Sequence, residues 1–265
     1  MEWVLGCTTR PFNTLSYEEA FARIGAAGYE DVAVFANEGQ IPVRSESTRA
    51  EIAAVKEAAA AAGIRPSMIL GKTQLEAGAQ AALDDYRRLI DHAAAVGASW
   101  LLDLGTGNEE HYDAYIALMQ QAAPYAESAG LSITMKPHGG ISLTTEHLLS
   151  ACKKVGHAAF AISYDPGNII YYTNGDRRPE SDVAEVAAKV SSLIVKDCIV
   201  EAGKPDVMVT PGDGLVDFAV VLRELIKGGF NGPSYVECVG GRGPGQIDRD
   251  IAFTLGYMKG LYAAL

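Results

Sequence analysis

Hydrophobic and polar positions along this chain follow two alternating rhythms. Short runs rich in aliphatic and aromatic residues recur, and each is followed by an Ala-rich stretch of helical character that often ends in Gly. The short runs predict strands over 3–7, 31–35, 66–70, 100–104, 131–136, 159–164, 192–196 and 234–238. The longer stretches predict helices over 17–27, 47–62, 76–96, 109–128, 144–155, 181–190, 216–228 and 248–263. Gly28, Gly63, Gly97 and Gly130 stand where a left-handed residue closes a helix. Ser16 and Thr144 stand where a hydroxyl caps one, with acidic residues in the first turn.

Eight strand–helix pairs in 265 residues give a repeat of roughly 33 residues, the size of a βαβ unit. The competing α/β form is a doubly wound open sheet. Eight repeats, and the absence of a G-x-G-x-x-G turn after the first strand, favour a single (β/α)₈ TIM barrel. No low-complexity or Pro/Ser-rich linker interrupts the series, so residues 1–265 read as one domain.

Composition narrows the partners. Lys and Arg number 22 against 33 Asp and Glu, a formal net charge of −11. Nucleic-acid binders usually need a basic patch, so DNA, RNA and anionic lipid are not expected as main partners. No apolar run reaches the ~18 residues of a membrane span. Met1-Glu2-Trp3-Val4 shows no basic segment leading into an apolar one. Cys7, Cys152, Cys198 and Cys238 are far apart and lack metal or redox spacing. Together these features predict a cytoplasmic protein with reduced thiols, whose oligomeric state, a homo-oligomer included, stays open.

In such a barrel, function resides at the C-terminal ends of the strands. Polar residues collect there: Thr8-Thr9-Arg10, Asp103, Lys136-Pro137-His138-Gly139-Gly140, Asp165-Pro166-Gly167-Asn168, Lys196-Asp197, and Glu237 followed by Gly240-Gly241-Arg242. Strand alternation puts Lys136 and His138 on one face, and pairs Asp165 with Ser163, Glu237 with Tyr235 and Lys196 with Ile194. The candidate site is therefore Lys136, His138, Asp165, Lys196 and Glu237. Two carboxylates can there neutralise two ammonium groups, as burial demands. His92, His111, His147 and His157 fall in or beside predicted helices and read as structural. Asp103 is balanced between a core and a site role, and Gly212-Asp213-Gly214 reads as a turn or a lid.

These motifs, with Pro211-Gly212-Asp213-Gly214-Leu215-Val216-Asp217-Phe218 and the stretch Gly228 to Glu237, carry a resemblance to the xylose-isomerase-like sugar phosphate isomerase/epimerase family. The resemblance implies a (β/α)₈ barrel and proton transfer next to a sugar carbonyl. It also implies one divalent metal held by a Glu on strand five, an Asp on six, a His on seven and a Glu on eight. Asp165 and Glu237 match the sixth and eighth positions. Lys136 replaces the fifth-strand Glu, Ile194 the seventh-strand His, and Ala33 a glutamate often found on strand two.

Two arrangements follow. In the favoured one, Lys136 sits where a metal would, paired with Asp165 and Glu237, and the site is metal-free. In the other, Mn, Mg or Zn binds through His138, Asp165 and Glu237 with waters. The leading functional expectation is an isomerase or epimerase acting on a small sugar or keto-sugar. Its base would be His138 or Glu237, its electrophiles Lys136 and Lys196, and its substrate-binding groups Asn168, Asp197, Arg10 and Arg242. The alternatives are a lyase or aldolase using Lys136 or Lys196 as nucleophile, and a sugar-binding barrel without catalysis.

Overall fold

Strands form where the short apolar runs place them. The structure, a computed structural model, describes residues 3–265; Met1 and Glu2, which begin the segment inspected for a leader, lie outside the described residues. The strands are β1 (Leu5–Thr8), β2 (Asp31–Val34), β3 (Arg65–Leu70), β4 (Trp100–Asp103), β5 (Ser132–Met135), β6 (Phe160–Tyr164), β7 (Val190–Val195), β8 (Ile199–Glu201), β9 (Lys204–Asp206) and β10 (Ser234–Val236). β8 and β9 form a separate antiparallel hairpin. The other eight are all parallel. They run in chain order until β10 pairs with both β7 and β1 and closes the ring. A closed ring rules out the open doubly wound sheet and makes the chain a TIM barrel.

The helices are α1 (Tyr17–Ala26), α2 (Arg49–Ala61), α3 (Ala79–Val96), α4 (Tyr112–Ser128), α5 (Thr145–Val155), α6 (Pro166–Tyr172), α7 (Val183–Val186), α8 (Phe218–Lys227) and α9 (Pro244–Ala264). Ser16 accepts from the Glu19 amide, and Gly28, Gly63, Gly97 and Gly130 all adopt positive φ, as the termini predict. Thr144 makes no cap hydrogen bond; its hydroxyl pairs instead with His147 Nδ1 at 2.8 Å.

Three stretches depart from the pattern. The helix predicted over 181–190 shrinks to α7 between two 3₁₀ turns, because Val190 already belongs to β7. The β8–β9 hairpin turns through Ala202 and Gly203, both at positive φ, the geometry that suits a two-residue hairpin loop. Helix α6 is also additional, and it shapes the site.

Two apolar layers hold the barrel together. The larger lies between the strands and the outer helices and includes Phe21, Ile24, Ile69, Tyr86, Leu101, Met119, Ile133 and Val195. The smaller fills the barrel itself: Ala33, Phe35, Met68, Leu102, Ile194 and Tyr235. Each large aliphatic or aromatic side chain so buried contributes roughly 1.5–3 kcal/mol. The inner layer fixes the facing of the strands: Ile194 and Tyr235 point inward, so two residues further on Lys196 and Glu237 do too. Among the described residues, no helix is long and apolar enough to cross a membrane.

Candidate active site

The site grows from the last turn of four strands. Past β5, the Lys136 amide still donates to the Asp103 carbonyl at 2.9 Å; past β10, the Glu237 amide donates to the Val195 carbonyl at 3.2 Å. Both side chains are thus held in the barrel frame although they lie beyond the named strands.

Asp165-Pro166-Gly167-Asn168 works as a unit. Asp165 caps α6, its Oδ1 accepting from the Asn168 amide at 2.9 Å, and Pro166 occupies the first turn, where a missing N–H costs nothing. At Gly167 a Cβ would lie 2.7 Å from the Lys196 carbonyl, so glycine lets α6 lie against the end of β7. Asn168 then donates to the Pro137 carbonyl at 2.7 Å and accepts from Lys196 Nζ at 3.2 Å. It therefore ties the ends of β5 and β7 together.

Four charges meet at the centre. Lys136 Nζ lies 2.5 Å from Glu237 Oε2 and 3.3 Å from Asp165 Oδ2. Lys196 Nζ lies 2.7 Å from Glu237 Oε1 and 3.0 Å from Asp165 Oδ2. All four side chains are at most 3% exposed, and their formal charges sum to zero. Buried charge is tolerated only when paired and hydrogen-bonded in this manner.

Burial by itself would raise the Glu237 pKa, but the two ammonium groups outweigh it and hold the carboxyl far below its usual range. The lysines differ. Burial lowers both, yet Asp165 and Glu237 together reverse this for Lys196 and leave its pKa raised. For Lys136, burial prevails over Glu237 with help from the Lys196 charge, and its pKa is lowered. Donor counting agrees with that difference. Lys196 has three acceptors, Asp165, Asn168 and Glu237; Lys136 has two, leaving one N–H without a partner among the described residues.

The rim is built from different residues. Gly139 and Gly140, at φ 80° and 51°, turn the chain sharply after His138, and a Cβ on Gly140 would collide with the backbone of Thr106 and Gly107. Ser142 accepts from the His138 amide at 3.1 Å. The imidazole so presented is exposed, with its ring centroid 5.0 Å from that of Tyr172. Partial burial, then the Lys136 and Lys196 charges, lowers its pKa to about 4, leaving it neutral near pH 7. Arg10 Nε lies 3.3 Å from Cys238 Sγ and 3.7 Å from Glu237 Oε1, half open to solvent. Phe35 lines the inner wall, with Lys136 Nζ 5.8 Å from its ring centroid.

Asp197, expected to bind substrate, is engaged by the backbone: its carboxylate accepts from the amides of Cys198, Gly212, Gly214 and Val216 at 2.8–3.0 Å and organises the loop that includes Gly212-Asp213-Gly214. Alternation already points it away from Lys196. Arg242 is exposed, and its guanidinium makes no ion pair or hydrogen bond among the described residues. His138, Asp165 and Glu237 do not form a metal-ligating set: no group of three such side chains is placed to hold an ion among the described residues.

Asp103 resolves to a core role, accepting from Tyr86, Tyr115 and the Gly105 amide. Tyr172, which sequence reasoning missed, reaches the mouth from α6. The Asp-Pro pair that starts this helix is the signal that could have revealed it.

The family model for xylose isomerase-like TIM barrels matches residues 21–256. The chain belongs to this family. No curated protein matches it significantly. Among solved structures it resembles a xylose isomerase domain protein from Planctomyces limnophilus, at 21% identity over 98% of both chains with a TM-score of 0.77. It also resembles a xylose isomerase-like TIM barrel protein from Mycobacterium smegmatis in complex with magnesium (16% identity, 98% of this chain and 97% of that one, TM-score 0.77). A third is D-allulose 3-epimerase from Methylomonas sp. in complex with D-allulose (17% identity, 98% and 97%, TM-score 0.75). At these identities the neighbours establish the fold. Sugar epimerases are thus among the proteins that share it.

The donor set of this xylose isomerase-like barrel does not fit the metal that the family resemblance implies. Of the four ligand positions only Asp165 and Glu237 offer oxygen, and both carboxylates are engaged by ammonium groups. Ile194 is wholly buried in the inner apolar layer, as is Ala33.

Proposed function

We propose that the mouth of this barrel moves a proton next to the carbonyl of a small sugar or keto-sugar, as an isomerase or epimerase. The observation that carries the reading is a buried, charge-balanced quartet with one ammonium N–H unpartnered among the described residues, beside a neutral, exposed imidazole. Proton transfer next to a carbonyl needs a base and a donor to the oxygen that becomes negative. His138 is the base: it is neutral near pH 7, and its imidazole forms no hydrogen bond among the described residues. The third N–H of Lys136 is the donor to the carbonyl oxygen as charge develops on it. Tyr172 walls the substrate, and Arg10 at the rim takes a hydroxyl or an anionic group.

Glu237 is a poor base here. Both its oxygens accept from lysines, and its pKa is held far down. The same pairs weaken the lyase or aldolase alternative, since a nucleophilic amine needs a free lone pair while each ammonium here faces two carboxylates. Incubating the protein in D₂O with a panel of ketoses and aldoses, and following deuterium uptake next to the carbonyl, tests the proposal. At least one sugar should exchange, and His138→Ala should slow it by roughly 10²–10⁴-fold. Sugars that bind without exchanging would instead mark a non-catalytic binding barrel.

A further inference from the structure

Asp165 and Glu237 hold two of the four positions where the family resemblance places metal ligands, yet neither has a carboxylate oxygen to spare. Asp165 Oδ2 faces both lysine nitrogens, at 3.0 and 3.3 Å, and its Oδ1 accepts from the Asn168 amide. Glu237 gives Oε1 to Lys196 and Oε2 to Lys136. The other two positions supply a cation, Lys136, and a hydrocarbon, Ile194. A divalent ion placed there would share a dry pocket with two like charges, and nothing nearby would compensate it. Two ammonium groups already supply the two positive charges that a dication would bring.

We propose that the Lys136–Lys196 pair replaces the divalent metal in this barrel, so that its site works without one. Lys196, with three acceptors, is the fixed half of the pair. Lys136, with two, keeps an N–H for the substrate. The use of that N–H rests on the function proposed above, whereas the replacement of the metal does not.

The test reads metal rather than turnover. Protein purified without chelator from cells grown with Mn²⁺, Mg²⁺ and Zn²⁺ is analysed for metal by mass spectrometry, and its melting temperature is followed against each ion. Metal well below one ion per chain and no saturable rise in Tm are expected, because an ion bound only by the folded state must raise Tm. Lys136→Glu should gain Mn²⁺ binding, seen as a rise in Tm and loss of the free-ion electron paramagnetic resonance signal. If that variant folds only on adding Mn²⁺, the same gain is shown, since binding is then coupled to folding.

One metal per unmodified chain, or a saturable Tm rise that Asp165→Asn abolishes, would overturn the proposal. So would a Lys136→Glu chain that folds and takes up no Mn²⁺. Metal independence together with failed deuterium exchange supports this inference and sinks only the function above.

Discussion

Lys136 shows most directly what the site demands of a single residue. Its ammonium is buried against Glu237 and Asp165, so Lys136→Met removes one cation and leaves two carboxylates sharing Lys196. Breaking a buried pair from one side costs about 3–5 kcal/mol, because an uncompensated charge remains. Urea unfolding of Lys136→Met should show a loss of that order. Glu237→Gln should cost less in the Lys136→Met background than it costs alone, and single costs that simply add in the double variant would mean the two residues are not coupled. Strand alternation made this residue legible in the sequence. The same alternation, applied to Asp197 next to Lys196, points its carboxylate outward, where four backbone amides receive it.

Among the elements, α6 has the most effect on the site for its length. Capped by Asp165, its seven residues bring Asn168 and Tyr172 to the mouth, and it lies against β7 only because Gly167 has no side chain. A Cβ there would meet two backbone carbonyls, of Lys196 and Asp197, at 2.7 and 2.9 Å, and backbone cannot rotate aside. Gly167→Ala should therefore destabilise the fold by about 1–3 kcal/mol. Because the shift is transmitted to Lys196 and Asn168, any deuterium exchange should fall with it. Stability loss without change in exchange would show that α6 moves independently of the quartet. The helix was hard to read in the sequence because a Pro and a Gly stand in its first turn, where they look like a loop. The two partners of Asn168, the Pro137 carbonyl and Lys196 Nζ, lie 31 and 28 positions away and are likewise set by packing.

At the scale of the whole molecule, the two ends of the barrel respond to pH in opposite directions. At the mouth, His138 has a folded-state pKa of about 4 against an ordinary 6.5. Its contribution is complete above about pH 6.5 and is lost as pH falls towards 4, because the unfolded chain takes up the proton first. Towards the other end, Asp31 starts β2, where Tyr235 and Ser67 donate to it at 2.9 and 2.6 Å. Burial prevails over those bonds and raises its pKa to about 6, from 3.8. The folded state then keeps a proton that the unfolded chain releases, so stability is greatest below about pH 4 and falls by about 3 kcal/mol as pH rises to about 6. Melting curves from pH 4 to 7 should show Asp31→Asn removing the falling component and His138→Phe removing the rising one. Unchanged profiles would refute the assigned shifts.

Hydrophobic rhythm by itself determined the repeat and the number of barrel strands, because a strand buried on both faces and a helix buried on one leave different periodicities; closure rests on the pairing of β10 with both β7 and β1. Strand alternation also paired Lys196 with Ile194 and Glu237 with Tyr235, so that once the inner apolar layer takes Ile194 and Tyr235 the two charged residues face inward with them. Tertiary structure decided what these charges are for. Asp165 and Asp197 both stand just past the end of a strand, yet one meets two ammonium groups and the other four amides. That division depends on how α6 and the 212–216 loop fold back, through contacts between residues distant in the chain. Whether Lys136 stood alone or belonged to a closed quartet was likewise decided by β5, β6, β7 and β10 meeting in one ring, since a distance of a few ångströms between residues as much as 101 positions apart is a property of packing rather than of local pattern.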